Sequence, residues 1–444
     1  MIRIRDLSLR PGEKFPQLLR AAAKQLGCTP KDILRLQIVR KSIDARKKQD
    51  VRVIYTVDVA VRGEERIRLG RNPKLSRPVY QPYLPPKPAA KPALRPVIAG
   101  FGPAGMFAAL LLAEAGLCPI ILERGYDVDK RQHLVSAFWD GGALDPRCNV
   151  QFGEGGAGTF SDGKLNTGIH DARIQYVLQR FVEFGAPENI LYDAKPHVGT
   201  DVLCRVVKAL RTHVCACGGE IRFGTTLTDV RHAAGHLTAV LAEDGHGGFS
   251  LPCDTLLLAI GHSARDTFEM LERAGLPMEP KPFSMGVRIE QLQEEISRSQ
   301  YGAFAPMLPP ADYKLNCRLP DGSSAYTFCM CPGGYVVAAA SEQGGVVTNG
   351  MSYSGRSGTN ANAALLVTLQ PGDFPYEGAL GGARWQREIE EAAFLAGGGT
   401  YFAPAQLAGD FLAHRPSTVL GRVAPTYRPG VALCDLHNVL PQRI

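Results

Sequence analysis

The first 61 residues switch hydrophobic period from two to helical and back to two. Ile2, Ile4, Leu7 and Leu9 alternate with polar neighbours and predict a strand over residues 2–9. Phe15, Leu18, Leu19, Ala22, Ala23 and Leu26 then share one helical face, predicting a helix over 15–26. Thr29 followed by Pro30 is a cap residue with proline at the first helical position, so a short helix is expected there. Two further runs alternate with period two, residues 34–43 (Leu34, Leu36, Ile38) and 51–61 (Val51, Val53, Tyr55, Val57, Val59, Val61). Joined through Arg46, Lys47 and Lys48, they read as a hairpin. This predicts a small α+β module over residues 1–75.

Residues 76–96 hold seven prolines, which exclude a helix or a central strand and favour an extended connector. Beyond it the pattern is α/β. An apolar strand at 97–99 runs into glycines and a helix over 103–115, followed by a second strand at 119–123. Residues 220–226 and 236–241 read as strands of a hairpin-rich stretch. The apolar run 255–260 suits the middle of a parallel sheet. The expected organisation is therefore a Rossmann-like domain over 97–170 and 220–270, with an inserted α+β substrate domain over 171–219 and 271–444.

Composition narrows the class. Hydrophobic residues make up 45% of the 444 positions and charged residues 21%, a globular balance. Residues 97–122 carry one charge, Glu114, but six glycines and prolines break the stretch, so no membrane span is expected. The N-terminus is charged from its third residue and shows no secretory signal; a cytoplasmic protein is expected. Eleven cysteines without metal-site spacing are expected as reduced thiols, with no metal. Residues 1–80 hold 20 Lys/Arg and 8 Asp/Glu, a balance of +12 against +7 for the whole chain, leaving −5 for the rest. That concentration makes nucleic-acid binding by the module a second possibility, with a basic face that docks on the acidic remainder as the first.

Gly100-Phe101-Gly102-Pro103-Ala104-Gly105 carries the chemistry. The spacing G-x-G-x-x-G, between a strand and a helix, with Glu123 ending the next strand, is that of a dinucleotide site. Gly100 permits the tight turn, Gly102 lets the backbone approach a diphosphate, and Gly105 lets helix and sheet close together. The helix N-terminus, with Pro103 and Ala104 in its first turn, supplies N–H groups for the anion. Glu123 can accept from ribose hydroxyls and disfavours a 2′-phosphate. A second glycine-rich segment, residues 151–166, offers Gly156, Ala157 and Gly158 as flexible backbone, with Thr159, Ser161 and Lys164 as donors to phosphate or flavin oxygens. Further candidate cofactor contacts are Arg124 and Arg131, Leu227, and the strand-to-turn residues Ala259, Gly261 and His262.

The wording ILERG at the acid, the segment FGEGGAGTFSDGKLNT, and the later segments KPHVGTD, AIGHSARD, KPFSMGVRIE, FCMCPGGYVV, TNGMS and APAQLAGDF resemble the bacterial family of predicted FAD-dependent dehydrogenases of the two-dinucleotide-binding type. The resemblance runs from residue 95 to about 440 and extends to the basic module. It implies FAD as cofactor and an oxidoreductase passing a hydride between a substrate and flavin, with NAD(P)H or another electron partner. It names neither substrate nor catalytic residue. A closing Gly-Asp signature typical of such flavoproteins is missing, which suggests a C-terminally truncated chain. The rival class is a flavin-containing, RNA-associated protein of tRNA-modifying type. Among other tempting residues, Cys329 and Cys331 read as packing, and Arg288 and Glu290 as an ion pair or an anion-binding arginine.

Overall fold

The computed structural model describes residues 1–444 except Asn166 and Asp321, so the last residue of the second glycine-rich segment lies outside the described residues. The chain forms two compact units: Met1–Leu84 with Lys164–Val198 and Leu292–Asp312, and Pro85–Gly163 with Gly199–Gln291 and Tyr313–Ile444.

The first unit starts with strand β1 (Ile2–Leu9), helix α1 (Phe15–Leu26), and strands β2 (Ile33–Asp44), β3 (Arg52–Val61) and β4 (Leu75–Ser76). They form an antiparallel sheet in the order β2-β3-β1-β4. The broken alternation of β1 has a structural cause. Its register against β3 shifts between Ile4 and Leu7, and Asp6 takes a left-handed φ of 57°. The bulge resets the phase, so Ile2, Ile4, Leu7 and Leu9 all face the core. Leu18, Ala22 and Leu26 of α1 pack on the same cluster, and Gly27 ends the helix at φ 70°. Asp58, fully buried, receives a bidentate pair from Arg3 at 2.8 Å and 2.8 Å and the Tyr80 hydroxyl, which fastens the start of the proline-rich segment to the sheet. A depression of about 850 Å³ on this unit is lined by Lys24, Arg62, Arg66 and Arg68 together with Asp32 and Glu65.

The second unit is built on β5 (Val97–Ala99), α2 (Pro103–Glu114), β6 (Ile120–Glu123), α3 (Val128–Trp139), α4 (Thr200–Ala216), β7 (Glu220–Phe223), an antiparallel meander of β8 (Thr226–Ala233), β9 (His236–Asp244) and β10 (Gly247–Pro252), then β11 (Leu256–Leu258) and α5 (Arg265–Arg273). The parallel order is β11-β5-β6-β7. One side of each central strand, Val97, Ala99, Ile120 and Leu122, packs on Leu227, Val240 and Ala242 of the meander and on Met270 and Leu271 of α5. Ile98 and Ile121, on the opposite side by alternation, are equally buried. Helix α2 packs against α4.

Two strand expectations change. The stretch 220–226 divides: β7 joins the parallel sheet beside β6 while β8 starts the meander, because Gly224 (φ 64°) turns the chain between them. The run at 255–260 forms an edge strand, not a central one; Leu258 is 41% exposed. Beyond these lie β12 (Phe283–Leu292), β13 (Asn316–Arg318), β14 (Ser324–Thr327), β15 (Tyr335–Ala338), β16 (Thr348–Met351), β17 (Asn360–Leu369), α6 (Gly381–Ala396), β18 (Ala403–Ala405) and β19 (Val431–Leu433). They supply a sheet ordered β12-β17-β14-β13 and the pairs β15-β16 and β18-β19. Val135, Phe138 and Trp139 of α3 pack with β15 and Tyr427, and the Trp139 indole donates to the Ala338 carbonyl at 2.9 Å. Among the described residues no helix is long and apolar enough to cross a membrane.

Candidate functional site

The chain leaves β5 through Gly100 at φ 95°. A Cβ there would lie 2.4 Å from the Ala259 carbonyl oxygen, so the strand-to-turn segment after β11 presses directly on the glycine loop. At Gly105 a Cβ would stand 2.0 Å from the Gly100 carbonyl oxygen, which is the close packing of helix on strand that the spacing predicts. Gly102 caps α2. The cap has no side-chain hydrogen bond, and the first turn carries no acidic residue. The N-terminal N–H groups of α2 are thus left without a side-chain acceptor, the arrangement a diphosphate requires.

Glu123 ends β6 and is 4% exposed. One carboxylate oxygen accepts from the Phe101 N–H at 2.7 Å; the other accepts from Gly125 and Gly153 at 2.9 Å each. Two of these bonds tie the two glycine loops together and the third closes the turn after β6, so about one acceptor position is left, on Oε2.

The second glycine-rich segment lies against the first. Gly155 N–H donates to the Phe101 carbonyl at 2.9 Å, and a Cβ on Gly156 (φ 59°) would meet Gly102 Cα at 2.9 Å and Pro103 Cδ at 3.3 Å. A Cβ on Gly158 would reach Pro103 Cγ at 3.6 Å. Gly156, Ala157, Gly158 and Thr159 share a short 3₁₀ turn. The Thr159 hydroxyl donates to the Glu154 carbonyl at 3.3 Å and the Ser161 hydroxyl to the Gly158 carbonyl at 2.8 Å, so both brace the turn. Where the loops face each other the Pro103 ring is the side chain that intervenes, and the close backbone fits an extended dinucleotide.

The remaining sequence candidates take varied positions. Arg131 is fully buried. Its guanidinium donates to the carbonyls of Asn149 (2.9 Å), Val150 (3.0 Å), Gly153 (3.3 Å) and Glu154 (2.6 Å), so it lies beneath the loop. Desolvation lowers its pKa to about 10, against the favourable charge of Glu123. Arg124 donates to Asp266 and Thr267 at 2.9 Å each and stacks 4.4 Å over the Phe152 ring, tying β6 to α5. Leu227 belongs to the core under the sheet. Gly261 is left-handed at φ 70° with open space where a Cβ would stand. His262 is exposed; the surrounding protein, and then the Arg265 charge, push its pKa below the ordinary imidazole value. Lys164 belongs to the first unit, where its ammonium lies 3.9 Å from Asp312.

Sequence reasoning missed two acids. Glu154, fully buried, accepts from the Val128 N–H at 2.7 Å and pairs with Arg211 at 3.1 Å; burial raises its pKa. Asp162, 4% exposed, receives the Ser352 hydroxyl. The available signal was an acid set among glycines, which otherwise reads as solvated loop. Among the described residues the cysteines form no disulfide, and Cys329 is exposed while Cys331 is buried, so the two do not share one side of a strand.

Residues 282–444 match a family model described as the FAD-dependent protein, C-terminal domain-like family, and residues 1–60 match a domain of unknown function. An uncharacterized protein of Clostridium beijerinckii is 46% identical over 451 residues, covering 100% of this chain and 83% of its own length. Among solved structures, THI4 of Thermovibrio ammonificans is 15% identical at a TM-score of 0.28, covering 42% of this chain. The flavin-dependent monooxygenase PieE is 16% identical at 0.31, covering 65%. The glycerol-3-phosphate dehydrogenase of Bacillus halodurans is 12% identical at 0.32, covering 67%. The chain spans 66%, 45% and 52% of those three proteins.

Proposed function

We propose, for a chain that belongs to the family of the Clostridium beijerinckii protein and carries the C-terminal domain of FAD-dependent proteins, an FAD-dependent oxidoreductase that moves a hydride between a small substrate and flavin. The cofactor is FAD. The observation that carries the reading is the uncapped N-terminus of α2, with a second glycine loop so close to it that Gly156 has no room for a side chain.

In this reading Gly102, Pro103, Ala104 and Gly105 hold the diphosphate on the first turn of α2, and the free acceptor of Glu123 holds the adenosine ribose. The 155–161 segment and the Ala259–His262 turn border the flavin, with residues 171–219 and 271–444 serving the substrate side as an inserted domain. FAD supplies the two-electron chemistry; the protein binds, orients and excludes water. Buried Arg131 acts through the loop that it fastens. NAD(P)H or another carrier is the electron partner, and the cytoplasm, where unpaired thiols stay reduced, is the setting.

The test is the visible spectrum of the purified chain, with the released cofactor identified. A yellow protein yielding FAD, bleached by a reductant and recoloured by an acceptor, supports the reading. A colourless protein that takes up no added FAD overturns it.

A further inference from the structure

Arg288 sits on β12, whose neighbour in the sheet is β17. Its Nη1 donates to Asn362 Oδ1 at 2.7 Å, and its Nη2 reaches Asn349 Oδ1 on β16 at 3.5 Å. The Cys331 thiol is its remaining polar partner. Among the described residues no carboxylate lies within ion-pair distance of Arg288; Asp162 reaches it only through its field. A desolvated guanidinium normally has a carboxylate beside it, because the lost hydration must be replaced. Here burial instead holds the Arg288 pKa below the ordinary arginine value.

Spare donors mark the same spot. Arg288 Nε and Asn362 Nδ2 are sealed from solvent and have no acceptor, and Asn362 is fully buried. One cation, two unpaired N–H donors and no anionic acceptor leave the cluster short of an acceptor-rich anion. Gly350 on β16 makes the arrangement possible. A Cβ there would stand 2.3 Å from Arg288 Nη1 and from Asn362 Oδ1, and 2.9 Å from Cys331 Sγ. The cluster also borders the glycine-rich loop, since Ser352, two residues past Gly350, donates to Asp162 of that loop.

We propose that Arg288 and Asn362 form the recognition point for a carboxylate of the substrate, on the side of the protein bordered by the 155–163 loop. A carboxylate suits the cluster better than a phosphate. Its single charge matches the single guanidinium, and its two oxygens match the two spare donors, Arg288 Nε and Asn362 Nδ2. The use of the site in catalysis rests on the flavin reading above; the recognition of the anion does not.

The test is isothermal titration of the full chain with benzoate, with benzamide as the uncharged counterpart and inorganic phosphate as the other oxyanion. FAD content is measured on the same samples. Saturable binding of benzoate but not of benzamide is expected, weakened tenfold or more by Arg288→Met and clearly by Asn362→Leu, with FAD content unchanged. Arg288→Lys keeps the charge without the planar fork and is expected to bind more weakly than the wild type at an unchanged melting temperature, which covers a Met variant that does not fold. No saturable benzoate binding, equal affinity in the Arg288 variants, or a preference for phosphate overturns the proposal. A chain that takes up no added FAD yet still binds benzoate through Arg288 sinks the flavin reading and leaves this one standing.

Discussion

Replacing Arg131 by lysine keeps the charge and removes the fork. The guanidinium holds four backbone carbonyls between 2.6 and 3.3 Å, all on residues 149–154. A hydrogen bond to a charged group contributes about 1.5–3 kcal/mol, and a carbonyl left buried without a donor costs a similar amount. An ammonium presents its donors from one point on a shorter stem, so at least two of the four carbonyls lose their partner. The expected loss is about 3–6 kcal/mol, a large part of the roughly 5–15 kcal/mol that separates folded from unfolded protein. At about 2–4 °C per kcal/mol in a domain of this size, the melting temperature should fall by on the order of 10 °C. The loss lands on the loop that positions Gly153 and Gly156 against Glu123 and Gly102, so bound FAD should fall with it. Thermal unfolding followed by circular dichroism, with the flavin-to-protein absorbance ratio, measures both. An Arg131→Lys variant that melts and binds FAD like the wild type refutes the bracing role.

Gly105→Ala places a methyl 2.0 Å from a carbonyl oxygen and should abolish FAD retention, whereas Gly245→Ala, with no atom within 4 Å of the new Cβ, should retain it; absorbance of the purified variants decides. Asp58→Ala leaves Arg3 without its buried bidentate partner and should cost about 3–5 kcal/mol within the first unit, read by urea unfolding; a loss below 1 kcal/mol contradicts the geometry. Burial raises the Cys204 thiol from 9.0 to about 11. Its folded pKa lies above its unfolded value, so its stabilising contribution is complete below pH 9 and is lost as pH rises towards 11, by about 2–3 kcal/mol. Urea unfolding at pH 8 and pH 11 should show that much less alkaline destabilisation in Cys204→Ala than in the wild type.

The amino-acid sequence by itself determined what depends on neighbours a few residues apart. The bounds of α1 follow from its apolar face and Gly27, the glycine loop from the φ and close approach it needs, and the place of Glu123 beside that loop from its position at a strand end. Even the broken alternation of β1 was visible, although only the register shift against β3 explained it. Tertiary structure decided the rest. β11 lies at the sheet edge, and 220–226 splits between two sheets, because strand partners are chosen over long separations that leave no local period. Arg131 serves backbone carbonyls, and an acceptor present at every residue carries no sequence signal. The Arg288 cluster draws on residues 288, 331, 350 and 362, each unremarkable in its own segment. They become a site only when sheet packing strips water from a guanidinium and supplies no counter-charge, and that is a property of the folded interior.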